Sequence, residues 1–318
     1  MPRVSSTPHA RVLLVLTVAI VAISMAAIFV RFAQAPGVVV AFWRMAIACL
    51  VLLPLTLRAL GRTPLTKVNR STSLLAGVLL GVHFASWISS LSYTSVAASV
   101  TLVATIPLWV AVLAWLLLGK PPTLSVLLGV LTAVAGGAVI AFGDMGNAPG
   151  IAPGIAPGTS PGVTSVPLLG NALALLGAIS GAGYLLLGRS AQRHGLSLQA
   201  YVGVAYAVAA IVLAPLPLLL GYAYLDYPTS SYFWVVLLAL VPQLVGHTGI
   251  NYALKHLDPT KVATATLLEP VGAGLAAWWL FVETPGTLTL VGAALVLAGV
   301  LLSLRARTLV THPDPSGT

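Results

Sequence analysis

Apolar residues fill this chain in long blocks, separated by short polar or Pro/Gly interruptions. A helix rises 1.5 Å per residue, so ~20 mostly apolar residues cross the ~30 Å hydrocarbon layer of a membrane. Ten blocks reach about that length, at residues 12–30, 38–57, 74–93, 96–118, 124–142, 168–187, 200–220, 232–252, 262–281 and 288–304. Helix is the state predicted for all of them, because a lipid-facing open strand leaves its backbone groups unpaired. Asp258-Pro259 and Thr284-Pro285 place a capping side chain before a proline suited to a first helical turn. Pro36-Gly37 and Pro121-Pro122 interrupt the chain between other blocks. The first block is too long for the ~7–15-residue apolar core of a cleaved leader, so it reads as a membrane span.

One connection differs from the rest. Residues 143–166 carry Ala-Pro-Gly repeats, which neither propagate a helix nor bury a core, and they read as an extracytoplasmic linker. The chain thus divides into a first five-helix repeat at 1–142, the linker, a second five-helix repeat at 167–304 and a cytoplasmic tail at 305–318. With the N-terminus in the cytoplasm and the spans alternating, the inside receives Arg3, Arg11, Arg58, Arg62, Lys67, Arg70, Lys120, Arg189, Arg193, Lys255, Lys261, Arg305 and Arg307. Arg31 alone falls outside and Arg44 stays within a span. Such asymmetry is the positive-inside signature, and it puts both termini in the cytoplasm.

Composition narrows the class. Only 7% of the 318 residues are charged and 58% are hydrophobic, with a mean hydropathy of +1.03. A soluble domain carries about 25% charged residues, so this surface must face lipid. The net charge of +9 reflects loops beside anionic lipid, not a nucleic-acid partner. The lone cysteine, Cys49, excludes a disulfide within the chain.

A shift of 163 residues lays the late part of one half on the other. Thr101 falls on Thr264, Pro107 on Pro270, Trp115 on Trp278, Pro122 on Pro285, Gly129 on Gly292, Ala135 on Ala298 and Gly136 on Gly299. Five spans per half is an odd number, so the second half enters the membrane inverted. Inverted repeats let two similar halves exchange arrangements and open a central site to either side in turn, which is the construction of secondary transporters.

Residues 91–99 (LSYTSVAAS) leading to Ile106-Pro107-Leu108, and residues 254–259 (LKHLDP) leading to Leu268-Glu269-Pro270-Val271, resemble the drug/metabolite transporter superfamily, specifically its EamA-type permeases. Ala41-Phe42-Trp43-Arg44 resembles the arginine-bearing second helix of that family. The resemblance runs over residues 12–304 and implies export of small organic metabolites, amino acids or drug-like amphiphiles, through a central cavity, without ATP or a bound cofactor. It further implies a multi-pass protein of a prokaryotic cytoplasmic (inner) membrane. The chain carries no GxxxxGK[ST] phosphate loop, in keeping with that expectation. It departs from the family in having Gly119-Lys120, where the pattern is Gly-Glu, and Val282 before Glu283 in the second half. Both places fall at helix ends near water.

Candidate substrate-binding residues are Arg44, His83, Trp87, Tyr184, His247, Asn251 and Glu269, with Pro107 and Pro270 as hinges. A mid-span arginine costs about 2.5–3.5 kcal/mol on insertion scales, so Arg44 must face a cavity or a partner. It is either a carboxylate clamp or a structural lock onto backbone carbonyls or Glu269. Glu269 is a site for a coupling proton or an amine, or else a fixed partner of Arg44 or a neutral interhelical hydrogen-bonding group. Pro107 and Pro270 free the carbonyls of Val103 and Thr266, to line a cavity or merely to bend a helix. His83 with Trp87, and His247 with Asn251, lie one turn apart on their helices and form either pocket walls or interhelical bonds. Ser86, Ser90 and Gln243 are further candidates, and Trp43, Trp278 and Trp279 are cavity walls or interfacial anchors. Gly77-Gly81 and Gly177-Gly181 have the GxxxG spacing that lets helices approach within a monomer. No metal or catalytic set is expected, because histidines here lack Cys or carboxylate partners at ligating spacing. A flippase for lipid-linked precursors and, in another class, a membrane-embedded enzyme are the competing functions. The enzyme lacks an HExxH pair or an aspartate pair for a diphosphate-bound metal.

Overall fold

The computed structural model describes residues 9–62, 65–119, 121, 123–146, 166–257, 262, 265–282 and 284–304. Lys120, Pro122, the linker beyond Gly146, the Asp258-Pro259 cap, Lys261, Thr264, Glu283 and the tail from 305 lie outside the described residues. The described residues are all-helical outside short turns. In chain order the helices are α1 (His9–Ser24), α2 (Ala26–Ala33), α3 (Gly37–Arg62), α4 (Lys67–Ser90), α5 (Val96–Val103), α6 (Ile106–Leu118) and α7 (Leu124–Gly146). They continue with α8 (Pro167–Arg193), α9 (Leu198–Leu213), α10 (Leu216–Leu219), α11 (Thr229–Leu238), a π-helical segment (Ala239–His247), α12 (Thr248–His256), α13 (Leu268–Phe281) and α14 (Thr287–Leu304).

Among the described residues, 7 helical stretches are long and apolar enough to cross a membrane: Ala10–Ala33, Gly37–Arg62, Lys67–Ser90, Val96–Leu117, Pro167–Arg193, Leu198–Leu219 and Thr229–His256. Leu124–Ile140 and Thr287–Leu302 are shorter apolar helices, and α13 has 14 residues. The outer surface carries large apolar side chains such as Leu14, Leu117, Ile211 and Trp279, as a lipid-facing bundle requires.

Local chemistry sets the helix ends. Thr66, Ser95 and Ser197 cap α4, α5 and α9 by accepting from the amides of Asn69, Ala98 and Ala200. At the other end, α6 stops at Gly119 with φ +64°, the left-handed cap that glycine adopts freely. The matching cap of α13 is Val282, at φ +55°. A β-branched residue is strained in that region, by about 1–2 kcal/mol. Val282 is 71% exposed, so no packing offsets the strain.

Two interruptions occupy matching places in the two halves. The stretch 96–118 breaks at Ala104–Thr105, where α6 begins with Pro107 in its first turn. The chain before α13 breaks at Leu267, with Glu269 and Pro270 in the first turn that follows. Shifted by 163 residues, Ala104 falls on Leu267. Each proline thus follows a one- or two-residue disturbance of the helical ladder in which the backbone stays in the right-handed region, since a residue without an amide hydrogen is accommodated at a helix start.

Glycines define how the helices cross. A Cβ on Gly136 would lie 2.6 Å from the Gly292 carbonyl, one on Gly299 would lie 2.5 Å from the Gly129 carbonyl, and one on Gly143 would lie 2.7 Å from Leu288 Cβ. The order of these contacts makes α7 and α14 antiparallel. Gly170, Gly177 and Gly181 of α8 meet Thr94, Trp87 and His83 in turn, so α8 is antiparallel to α4. Gly77 and Gly81 of α4 meet Val208 and Val212, so α4 and α9 run parallel. Gly246 meets Ile23 and Gly249 meets Ala19, which makes α1 antiparallel to the stretch containing the π-helical segment and α12. Both GxxxG pairs thus pack within the monomer.

Two stability changes follow. Val282→Gly should raise stability by about 1 kcal/mol by relieving the left-handed cap, read as a higher unfolding temperature in detergent. Gly136→Leu should lower it by about 1–3 kcal/mol through overpacking of α7 against α14, while Gly274→Ala, with nothing within 4 Å, should stay neutral.

Candidate functional site

Arg44 projects from the second turn of α3 into the interior and is 0% exposed. Its Nε donates to Gln243 Oε1 at 2.8 Å. Its guanidinium carbon sits 4.0 Å from the centre of the Phe84 ring and 5.8 Å from that of Trp87. Nη1 and Nη2 are buried and have no hydrogen-bond partner. No ion pair joins Arg44 to a carboxylate among the described residues; Glu269 acts on it only as a nearby charge, from beyond contact.

This is an expensive arrangement. Removing an ion from water costs several kcal/mol even after relaxation. A charge-assisted hydrogen bond returns about 1.5–3 kcal/mol, and a desolvated cation–π contact about 2. Two terminal nitrogens remain uncompensated.

The π-helical segment explains how Gln243 reaches Arg44. Pro242 within it cannot donate an amide hydrogen, so the regular ladder is broken there and the turn widens. Gln243 is left facing α3, fully buried, with its Nε2 near the Tyr206 hydroxyl but outside good hydrogen-bond geometry. Thr248 Oγ1 donates to the Gln243 carbonyl at 3.4 Å and shares a 3.3 Å hydrogen bond with the Tyr206 hydroxyl, which ties α9 to the same turn.

The α4 wall is aromatic. His83 Nδ1 lies 2.7 Å from the Gly177 carbonyl. A carbonyl only accepts, so Nδ1 carries the proton and donates. The His83 and Trp87 rings stack at 6.1 Å, and Phe84 meets His247 edge-on at 5.4 Å. Trp87 is 3% exposed and its indole Nε1 has no partner. Gly177 and Gly181 let α8 close on this wall, and Ile106, one residue before Pro107, packs on Gly181 beside His83. Behind it, Asn251 Nδ2 donates to the Tyr184 hydroxyl at 3.2 Å and to the His247 carbonyl at 2.8 Å, and Tyr184 stacks on Tyr201.

The structure thus gathers Arg44, His83, Trp87 and His247 about one point, with Tyr184 and Asn251 as a supporting layer. Glu269 stands in the first turn of α13, where the helix dipole favours a negative group. Ser86 and Ser90 are spent on carbonyls of their own helix, at 2.7 and 2.6 Å. Trp43 Nε1 donates to the Tyr224 carbonyl, and Trp278 and Trp279 are exposed on the outer surface. Phe84 and Tyr206 were not among the candidates. Phe84 is adjacent to His83, but only the neighbours of α4 decide which of the two faces Arg44. Apart from this point, a crevice of about 300 Å³ lies between α1 and α13, lined by Thr17, Ile20, Val21, Ser24, Met25, Leu268 and Gly272.

Comparison with known proteins adds the lineage. Residues 10–142 and 168–305 each match the model of the EamA-like transporter family. An uncharacterized transporter of Archaeoglobus fulgidus is 33% identical over 87 residues, covering 27% of this chain and 32% of that one. A "probable terminal-alkyne amino-acid exporter" of Streptantibioticus cattleyicolor is 30% identical over 216 residues, covering 68% of this chain and 66% of the relative. The chain therefore spans about a third of one curated relative and just under two thirds of the other. A solved crystal structure shares the fold at a TM-score of 0.58 and 19% identity, over 92% of this chain and 96% of its own.

The energetics give a stability test. Replacing a poorly paired buried charge and its partner by apolar groups of similar size is neutral or stabilising. Arg44→Met combined with Gln243→Leu should therefore unfold in detergent at a temperature no lower than the parent. A drop of many degrees would mark Arg44 as a structural lock.

Proposed function

Because this chain belongs to the EamA-like transporter family, we propose that it is a secondary transporter that exports small organic metabolites, amino acids or amphiphiles of similar size, by alternating access around Arg44. The observation that carries this reading is the desolvated guanidinium of α3 held by the π-helical segment, with two nitrogens free and no carboxylate in contact among the described residues. A transporter is where a buried, unspent charge has a use, because substrate completes it. The amino-acid exporter among the relatives fits the same reading.

Ten spans in two inverted halves account for the helix directions. With Val96–Leu117 as a span, the antiparallel crossing of α8 with α4 calls for α7 to traverse the membrane as well. The antiparallel crossing of α14 with α7 needs α13 to do so as well. Under the 163-residue shift the contact of Gly136 with Gly292 becomes that of Gly299 with Gly129, so exchanging the halves returns the same interface. The matched interruptions before Pro107 and Pro270 fall where transporters of this construction place discontinuous helices. Both termini then lie in the cytoplasm of a prokaryotic cell. Pro107 and Pro270 serve as hinges, and Glu269 binds the coupling proton or a substrate amine.

A second reading has one observation behind it. The crevice between α1 and α13 opens beside Val21 and Leu268, which are 62% and 59% exposed on the lipid side. A flippase for lipid-linked precursors would use such a lateral opening.

Proteoliposomes containing the full chain should move members of an amino-acid and amphiphile panel, with and without an imposed pH gradient. Arg44→Met should cost about 1.5–3 kcal/mol of substrate interaction, a ~10- to ~100-fold loss. Glu269→Gln should retain exchange but lose gradient-driven accumulation. Movement of labelled lipid alone would favour the flippase, and no movement of any compound would sink the proposal.

A further inference from the structure

Resting on the transport reading, we propose that Arg44, Trp87 and Gln243 form a receptor for a free carboxylate, so that transported compounds carry one and Trp87 and Gln243 set that specificity. Three side chains, each at least 97% buried, present polar atoms with no partner: Arg44 Nη1 and Nη2, Trp87 Nε1 and Gln243 Nε2. Every one of these atoms is a donor, and none can accept. The Gln243 amide orientation is fixed by its neighbour: Oε1 accepts from Arg44 Nε, so the NH₂ is the end turned away from Arg44, with the Tyr206 hydroxyl near it. Turning the amide over would set donor against donor.

A carboxylate matches this set. It offers about four lone-pair sites in a plane, and a guanidinium edge takes two of its oxygens side by side. The guanidinium carbon sits over the Phe84 ring at 4.0 Å, so a ligand approaches from the side of the unpartnered Nη1 and Nη2. An ester lacks the charge. A primary amide brings further donors into a wall made of donors. The Trp87 and Phe84 rings beside the edge suit an apolar or aromatic remainder.

The test is equilibrium binding by calorimetry of L-phenylalanine, its methyl ester and its amide to the purified full chain in detergent, beside proteoliposome uptake of the same compounds. The acid should bind at least about tenfold more tightly than either derivative, the share of a charge-assisted pair. Trp87→Phe keeps the ring, loses the N–H, and should narrow that preference. Gln243→Glu places a carboxylate of the protein on Arg44; it should raise the unfolding temperature and weaken acid binding about tenfold or more. Ester or amide binding as tight as the acid, no binding of any of the three, or undiminished acid binding by Gln243→Glu would each overturn the receptor. If the acid is preferred yet none of the compounds is taken up, the receptor stands and the transport reading fails. If all three are taken up alike, transport stands and the receptor falls.

Discussion

The constraint on which this molecule turns is the placement of a guanidinium where neither water nor lipid can solvate it. The outer surface of the bundle is apolar, and its interior is closed around Arg44. Such a charge draws the surrounding residues into service. Phe84 supplies a quadrupole, Gln243 an acceptor, and the π-helical segment the extra width that lets Gln243 arrive. Each contribution is partial, and their sum falls short of full satisfaction.

The close packing around that point depends on glycine. Membrane helices gain little from hydrophobic association, since lipid is as apolar as leucine, so van der Waals contact between close backbones does more of the binding. The α7–α14 and α4–α8 crossings are built on Gly136 and Gly292, where a Cβ would collide with its neighbour, and on Gly177 and Gly181, where it would crowd Trp87 and His83. At α4–α8 the absent side chains make room for His83 and Trp87. The residues that hold the bundle together are thus the ones that admit the site's walls.

Much of this was legible in the order of residues. Block length and the Pro/Gly interruptions located the helices, because hydrocarbon thickness leaves few alternatives. The matched prolines located the disturbed turns near Ala104 and Leu267. Val282 was harder. Valine does not announce a left-handed cap, and only its register with Gly119 pointed to one. The site's depth could be read from Arg44 and His83, since their spans fix it. Phe84 and Tyr206 could not be read, because which of the buried residues on α4 and α9 meets Arg44 is set by how those helices pack on α3. Gln243 stood among the lesser candidates. Its central place depends on the π-helical turn at Pro242, and a proline signals a disturbed ladder without saying which way the turn will open.

Arg44 as a lock and Arg44 as a binding group make different demands on the same atoms. A lock would spend all its N–H groups on carbonyls or on Glu269, since nothing else is needed from them. Here only Nε is spent, on a neutral amide reaching across from the second half of the sequence. A neutral acceptor holds the side chain in place without cancelling its charge, so the attraction for an anion survives at the unpaired edge. Arg44 belongs to the first half and Gln243 to the second, so any group that takes that edge acts at the contact between them. On the proposed reading, a ligand at that edge would bias the fit of the two halves, which is the coupling that alternating access requires.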